Sequence, residues 1–584
     1  MAIDAKRLQS DIEAIARCTA SPGAGATRPT MSPAWAEARS YVIAEAETLG
    51  CDVRVDAAGN VHARPSAIGW ETPVWLVGSH LDSVPHGGDF DGVVGVVLAL
   101  ELLRSAADEG RNDLPVELMV FAEEEGPTFG LGMLGSRAWV GELTAAELSQ
   151  LRNTDGANYL EAGDPFGVDA ERLDQDGLDP SVYRGLIELH IEQGPGLWRR
   201  DRRLGVVRAI AGRRQFEVSV EGEANHAGAT AMGDRRDALA GAAEVALALE
   251  SLVSSLDPDA VMTVGRFDVE PNAINVVPGR ARLTIDFRAP ADDVLVAGEE
   301  RLREAIHAIA ARRRLTATID RTEAIPARPM SSELVETLKN QADRVTGTEV
   351  PVMMSGALHD AAVVAPFLPS VMLFVPSRDG ISHNPAEFSR IEDVAAAACV
   401  VESFVSRPSM QELNAMAMAS LVTLCGDLFE HSPWVVERAA SMRPFVDVDA
   451  FMDATRRVLE EATEDERLAL IRAHPDLVGG LRASGELTAD SSVEQRKAGL
   501  DTVSPDEAER FARFNSAYHD RFGFPFVICA KQNRKDTILS VMPERLQNPR
   551  EREVQIALDE ILKIARLRLA DRLWIPLKKA VDRS

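Results

Sequence analysis

The sequence predicts a multidomain protein in three parts: an α/β domain, a two-layer α+β domain inserted into it, and an all-α C-terminal domain. Three observations predict this. Short apolar runs at 74–77, 118–121 and 186–189 alternate with helical periodicity, the pattern of an α/β sheet. Between 208 and 323 the order of elements becomes β-α-β-β-α-β, that of a ferredoxin-like domain. Beyond Arg407-Pro408-Ser409 strand signals nearly vanish and helical periodicity dominates.

Each element has its own justification. Residues 36–49 read as an amphipathic helix. Val74-Trp75-Leu76-Val77 is a buried type of strand that ends at Gly78-Ser79-His80, and a helix follows over Val93–Ser105. Leu118–Phe121 is a second strand, leading extended into Glu123-Glu124-Glu125; Leu186–Leu189 is a third, ending at His190. Sites in such sheets gather at the carboxyl ends of strands, so three strands ending in metal-type residues mark one. In the insertion, strands are expected at Phe216–Val220, Met262–Phe267, Arg282–Arg288 and Leu315–Ile319, with helices at Ala238–Leu252 and Asp292–Arg313. Metal-type residues resume at His383, so the first domain is expected to comprise 1–207 and 324–407, with 208–323 inserted. Helices at 411–429, 448–460, 464–473, 505–521 and 551–571 make the last domain, 411–584.

The 584 residues exceed what one hydrophobic core can organise. With 91 acidic against 63 basic residues the formal net charge is −28, which argues against nucleic-acid binding and for solubility. Five cysteines, an odd number without a Cys-x-x-Cys pair, fit a reduced, cytoplasmic chain. Met1-Ala2-Ile3-Asp4-Ala5-Lys6-Arg7 turns charged at once and predicts no secretory signal. The most apolar stretch, Val93–Leu103, is too short to span a bilayer and contains Glu101, so no membrane partner is expected.

A hydrolytic metal pair needs imidazole and carboxylate ligands, a bridging group and a base. His80, Asp91, Glu124, Glu125, His190 and His383 supply these types. Asp82, two residues beyond His80, is placed to accept the second ring N–H and fix the tautomer. Asp91 lies in Gly87-Gly88-Asp89-Phe90-Asp91-Gly92, where glycines let the backbone turn tightly. Neighbours on an extended chain point apart, so one of Glu124 and Glu125 is free to bind metal while the other faces substrate.

The motifs extend further. They include Gly78-Ser79-His80-Leu81-Asp82-Ser83-Val84, Gly88-Asp89-Phe90-Asp91-Gly92, Glu188-Leu189-His190-Ile191-Glu192-Gln193-Gly194-Pro195 and Ala224-Asn225-His226-Ala227-Gly228. Pro271-Asn272-Ala273-Ile274-Asn275-Val276, Ser355-Gly356-Ala357-Leu358-His359-Asp360-Ala361 and Ser382-His383-Asn384-Pro385 complete them. Residues 1–407 thereby resemble the allantoate amidohydrolase, N-carbamoyl-L-amino-acid hydrolase and ureidopropionase group of di-metal peptidase-like enzymes. The resemblance implies one divalent ion, Mn2+ or Zn2+, on His80, Asp91 and His190, and a second on Asp91, Glu125 and His383. It implies Glu124 as general base, and His226 as a group that reaches the site of a neighbouring subunit in a homodimer formed through 208–323. It points to Gln193, Arg214 or Gln215, Asn275, Arg288 and His359 as contacts to a small ureido substrate.

The C-terminal domain carries a different set. Pro475 disfavours helix at His474, which places that histidine at a corner. Ser491 and Glu494 have the spacing of a capping box. Phe429-Glu430-His431-Ser432-Pro433-Trp434, Ala473-His474-Pro475-Asp476-Leu477, Ser491-Ser492-Val493-Glu494-Gln495 and Phe522-Gly523-Phe524-Pro525-Phe526-Val527-Ile528 together resemble 2-oxo-4-hydroxy-4-carboxy-5-ureidoimidazoline (OHCU) decarboxylase. That family implies a cofactor-free reaction with His474 as proton donor. Glu494 and Gln495 would orient the ring, with Ser491 and Pro475 beside them. Arg568 would hold a polar edge, and the backbone of Phe526, Val527, Ile528, Cys529 and Ala530 would hold the ureido arm. The two resemblances meet in urate breakdown, which favours allantoate as the hydrolase substrate. The alternatives are an N-carbamoyl amino acid, 3-ureidopropionate or ureidoglycolate, an aminopeptidase reading, or one half serving as a non-catalytic assembly module.

Overall fold

The computed structural model describes residues 3–478, 494–495, 498–500 and 502–575. Two compact units are formed, one running to Lys339 and resuming over Val350–Val405, the other made of Asn340–Glu349 and the chain from Ser406 onward.

In the first unit, β1 (Cys51–Val55), β2 (Val61–Pro65), β3 (Val74–His80), β4 (Val116–Phe121), β5 (Tyr183–Ile191) and β6 (Gly205–Ile210) begin a nine-stranded sheet. The chain leaves it through β7 (Gly212–Glu221), β8 (Asn225–His226), β9 (Val261–Glu270), β10 (Val276–Val277), β11 (Arg280–Ala289) and β12 (Thr316–Ile325). It returns with β13 (Arg328–Pro329), β14 (Val352–Ser355) and β15 (Ser370–Val375). The order is β1-β2-β4-β3-β5-β15-β6-β13, with β14 paired to β6. The four central strands β4, β3, β5 and β15 run parallel. Three of them are buried along their whole length, as strands covered on both faces must be. The helix Val93–Asp108, apolar on nearly every side, packs against them.

The expected strands all form, and six more complete the sheet. One expectation fails locally. Glu123 takes a left-handed conformation (φ 55°), so Glu123-Glu124-Glu125 is a turn and not a continuation of β4.

The insertion forms its own antiparallel sheet, β12-β7-β11-β9, with the helices Ala238–Val253 and Asp292–Arg312 between its strands in the chain. Phe216, Val218, Val220, Leu283, Ile285 and Phe287 join those helices in a separate core. The crossing points are Ala211 and the link between Ile325 and Arg328, each a few residues later in the chain than the expected 208 and 323.

The second unit is helical among its described residues. Its main helices are Met418–Cys425, Trp434–Ala439, Val448–Glu461, Glu464–Arg472, Pro505–Phe522, Lys535–Arg545 and Arg550–Arg572. The single helix expected at 411–429 is broken: Arg443 donates to the carbonyls of Asn414 (3.2 Å) and Met416 (2.7 Å), taking acceptors the helix needs to continue. No described helix is long and apolar enough to cross a membrane.

Candidate active sites

The ends of β3 and β5 and the loop before Val93–Asp108 converge on one carboxylate. Asp91 Oδ1 lies 3.0 Å from His190 Nε2 and 3.7 Å from His80 Nε2, while Oδ2 lies 3.3 Å from His383 Nε2. His383 Nε2 is also 3.3 Å from Glu125 Oε2. Two ligand triads result, His80–Asp91–His190 and Asp91–Glu125–His383, sharing Asp91. Gly92 makes this approach feasible, because a Cβ there would sit 2.5 Å from the His80 ring.

The ring tautomers follow from backbone bonds. His80 Nδ1 donates to the Asp82 carbonyl and His190 Nδ1 to the Ile191 carbonyl, both at 3.0 Å, leaving each Nε2 turned to Asp91. The Asp82 carboxylate, expected to accept from His80, lies 3.8 Å from that ring. It accepts the Glu125 N–H instead (3.0 Å), and so holds the turn that carries Glu124 and Glu125. Glu124 Oε2 sits 3.7 Å from His80 Nε2.

The donor set fits a pair of divalent cations. His80 Nε2 and Glu125 Oε1 are buried without a hydrogen-bond partner among the described residues, although such atoms are rarely left so. Burial, then the Glu125 and Asp360 carboxylates, push Glu124 well above the usual carboxylate range. Burial and Asp91 lift Glu125 to about 8. Asp91 is the exception: burial raises it, but His190, His383 and His80 outweigh burial and hold it well below the usual range. A buried cluster of this sign calls for positive charge, and imidazole with carboxylate suits Zn2+ or Mn2+.

The substrate-type residues divide. Gln193 Nε2 donates to Asp91 Oδ2 at 2.8 Å, so it stands at the ligand cluster. Arg288 bonds Asp286 (2.9 Å) and the Gly356 carbonyl (2.7 Å). Gln215 pairs across the sheet with Asp286 and shares the Arg288 face. Arg214 does not: strand alternation turns it to the helix layer, where it is bound to Glu299 at 2.6 Å. His359 is buried, bonded to Ser355 Oγ (2.8 Å) and set edge-on against His190 at 4.3 Å, a support for that ligand. His226, in β8, and Asn275, just before the β10 strand that pairs with it, are both exposed. The His226 Nδ1 accepts the N–H groups of Gly228 (3.1 Å) and Ala229 (3.2 Å), which puts the ring proton on Nε2. Ser382 and Glu387, which the sequence reading does not assign, also serve this cluster; their signal is adjacency to His383.

A second cleft lies in the helical unit and is lined by His474, Pro475, Glu494, Gln495, Phe526, Val527, Ile528, Ala530 and Arg568, among others. Ser491 lies outside the described residues. His474 Nδ1 donates to the Leu470 carbonyl (3.0 Å), and Nε2 is buried without a partner among the described residues. Burial pulls its pKa down to about 4 against the opposing pull of Glu430. That favours a neutral ring at rest, and Nε2 is the atom through which the expected proton donation would pass.

Arg568 lines the same cleft. Its guanidinium bonds both oxygens of Glu494 at 2.9 Å and Glu430 at 3.0 Å, so it fixes a carboxylate as much as it faces the cleft. Of the expected backbone contacts, the Cys529 N–H is already given to Glu560 (2.8 Å) and the Val527 carbonyl to Arg545 (2.7 Å).

Comparison with known proteins places both units. Residues 76–407, more than half of the chain, match the model of peptidase family M20/M25/M40. The chain belongs to that family. Residues 414–570 match the OHCU decarboxylase model, so an M20-family unit and an OHCU decarboxylase domain are joined in one chain. An N-carbamoyl-L-amino-acid amidohydrolase of Paenarthrobacter aurescens is 36% identical over 68% of this chain and 96% of that relative. An allantoate amidohydrolase of Escherichia coli K12 is 34% identical over 64% of this chain and 91% of that relative. The crystal structure of an amidase of the hydantoinase/carbamoylase family from Burkholderia multivorans aligns with a TM-score of 0.64 at 34% identity, covering 69% of this chain and 97% of that one.

Two outcomes are expected. Calorimetric titration of chelator-stripped protein with Mn2+ should give two equivalents for the native chain, one for His383→Ala and none for Asp91→Ala. The rate of OHCU decay should fall only as pH drops through about 4, because His474 loses its free Nε2 there, and should stay level between pH 6 and 8.

Proposed function

We propose that the chain is a bifunctional enzyme of urate breakdown. The M20-family unit would hydrolyse allantoate to ureidoglycine, ammonia and CO2. The helical domain would decarboxylate OHCU to (S)-allantoin. The observation that carries this reading is the coexistence, in one chain, of the shared-Asp91 double triad and the His474–Glu494–Gln495 cleft. The E. coli relative's name supports allantoate, and the Paenarthrobacter relative's name supports N-carbamoyl amino acids; the decarboxylase domain favours the former.

In the hydrolase unit, His80, Asp91 and His190 would hold one cation, and Asp91, Glu125 and His383 the other. Such cations act as Lewis acids toward the amide carbonyl and make the attacking water more acidic. Glu124, beside His80, would take the proton from that water and pass it to the leaving nitrogen. Arg288 would grip the substrate carboxylate and Gln193 the ureido group. His226, with its proton on the exposed Nε2, would donate to the developing oxyanion of a second protomer's site, with 208–323 as the dimer contact.

In the decarboxylase unit, the buried cleft would exclude water, and Glu494, fixed by Arg568, would orient the ring. His474 Nε2 would accept the ring hydroxyl proton as CO2 departs and return it to the neighbouring ring carbon, while the ring nitrogen left anionic takes a proton from solvent. No cofactor enters this scheme, since the conjugated ring holds the charge that CO2 leaves.

A panel of allantoate, ureidoglycolate, 3-ureidopropionate and N-carbamoyl amino acids on Mn2+-loaded protein should show ammonia release fastest from allantoate. Glu124→Gln should lower that rate about 10²–10⁴-fold and spare OHCU decay, and His474→Ala should do the reverse. Turnover of N-carbamoyl amino acids without allantoate would reject the substrate assignment. Mixing inactive Glu124→Gln and His226→Ala proteins under subunit exchange should restore up to roughly a quarter of native ammonia release, as one intact composite site per mixed dimer requires.

A further inference from the structure

The carboxylate shared by the two triads is held by a residue that belongs to neither. Glu387 is buried, and its Oε1 accepts two consecutive backbone N–H groups, those of Phe90 (2.9 Å) and Asp91 (3.1 Å). These bonds bridge 297 and 296 residues of sequence. Glu387 follows His383 by four residues, in the turn closed by the Glu387 N–H to the Asn384 carbonyl (3.0 Å). It thus ties the loop carrying His383 to the loop carrying Asp91.

The Asp91 loop is shaped around it. A Cβ at Gly88 would lie 2.1 Å from Glu387 Oε1 and 2.4 Å from Glu387 Cβ, so only glycine leaves room for this carboxylate. Nearby, Ser382 Oγ donates to Asp91 Oδ2 at 3.0 Å, so the same C-terminal segment steadies both the backbone and the side chain of Asp91. A carboxylate accepting two N–H groups makes charge-assisted bonds, stronger than those of a neutral acceptor. Burying such a group next to Asp91 adds negative charge where it is already dense, and a residue serving packing alone would be apolar.

We infer that Glu387 is a positioning residue: it fixes the backbone at Asp91 so that both carboxylate oxygens face their separate triads. This rests on the di-metal reading of the site. Partners of this kind commonly set metal affinity by 10–100-fold when removed.

The test is Mn2+ titration of the chelator-stripped full chain, with OHCU decay and thermal unfolding of the metal-free protein measured alongside. Glu387→Ala should lower Mn2+ affinity about tenfold or more while OHCU decay is unchanged. Glu387→Gln keeps an acceptor oxygen and should recover most of the lost affinity. Gly88→Ala, which pushes Glu387 aside while keeping its charge, should reproduce the Glu387→Ala defect and covers the case in which Glu387→Ala does not fold. Native affinity in folded Glu387→Ala or Gly88→Ala overturns the assignment. A shift in thermal stability with unchanged Mn2+ affinity does the same, since it marks a merely structural role. Failure of the native chain to bind Mn2+ at all would instead sink the di-metal reading on which the assignment stands.

Discussion

Everything in the hydrolase unit turns on presenting one buried carboxylate to two sets of ligands at once. Asp91 meets His80 and His190 through one oxygen and His383 with Glu125 through the other side. Both oxygens reach their partners only while the loop backbone holds Asp91 in place. The fold meets that demand with parallel strands whose carboxyl ends are rigid, with Gly88 and Gly92 where side chains would collide, and with backbone bonds that lock each imidazole tautomer. The electrostatic cost of gathering Asp82, Asp91, Glu124, Glu125 and Glu387 is the other face of the same design: a site this acidic is completed by cations.

The helical unit solves a different problem with a similar device. Glu494 is needed in a defined orientation inside a small cleft, and a buried guanidinium clamps both its oxygens. The same Nη2 of Arg568 that meets Glu494 also bonds Glu430. His474 is left neutral beside this cluster, with its backbone-facing nitrogen committed to Leu470.

Chemistry-bearing residue types were legible in the sequence because strand ends and glycine turns are local signals. The three strands ending in His80, the Glu123–Glu125 turn and His190 could be read from apolar runs, and the β-α-β-β-α-β order from alternating periodicities. What stayed hidden was non-local. The Glu299 partner of Arg214 lay 85 residues away, the partner of Arg568 74 residues away, and the Asp82 carboxylate turned to a neighbouring loop and not to its own histidine. β15 is as apolar as β3, but its run Ser370–Val375 ends without a metal-type residue, so nothing marked it as the sheet's centre. The helix break after Asn414 came from Arg443, which no local propensity encodes.

The position of β15 has a temporal consequence. It lies between β5 and β6 in the sheet, although the whole insertion, β7 to β12, separates it from them in the chain. A growing polypeptide can complete the sequence-continuous inserted layer early. The larger sheet must keep a gap between β5 and β6 until residues 370–375 emerge, with His383 later still. Closing so long a loop is slow, and until it closes the strand edges stand open to wrong pairing. The last ligand to be synthesised is thus the one that completes the second triad, and competence to bind that ion arrives only when the sheet is sealed.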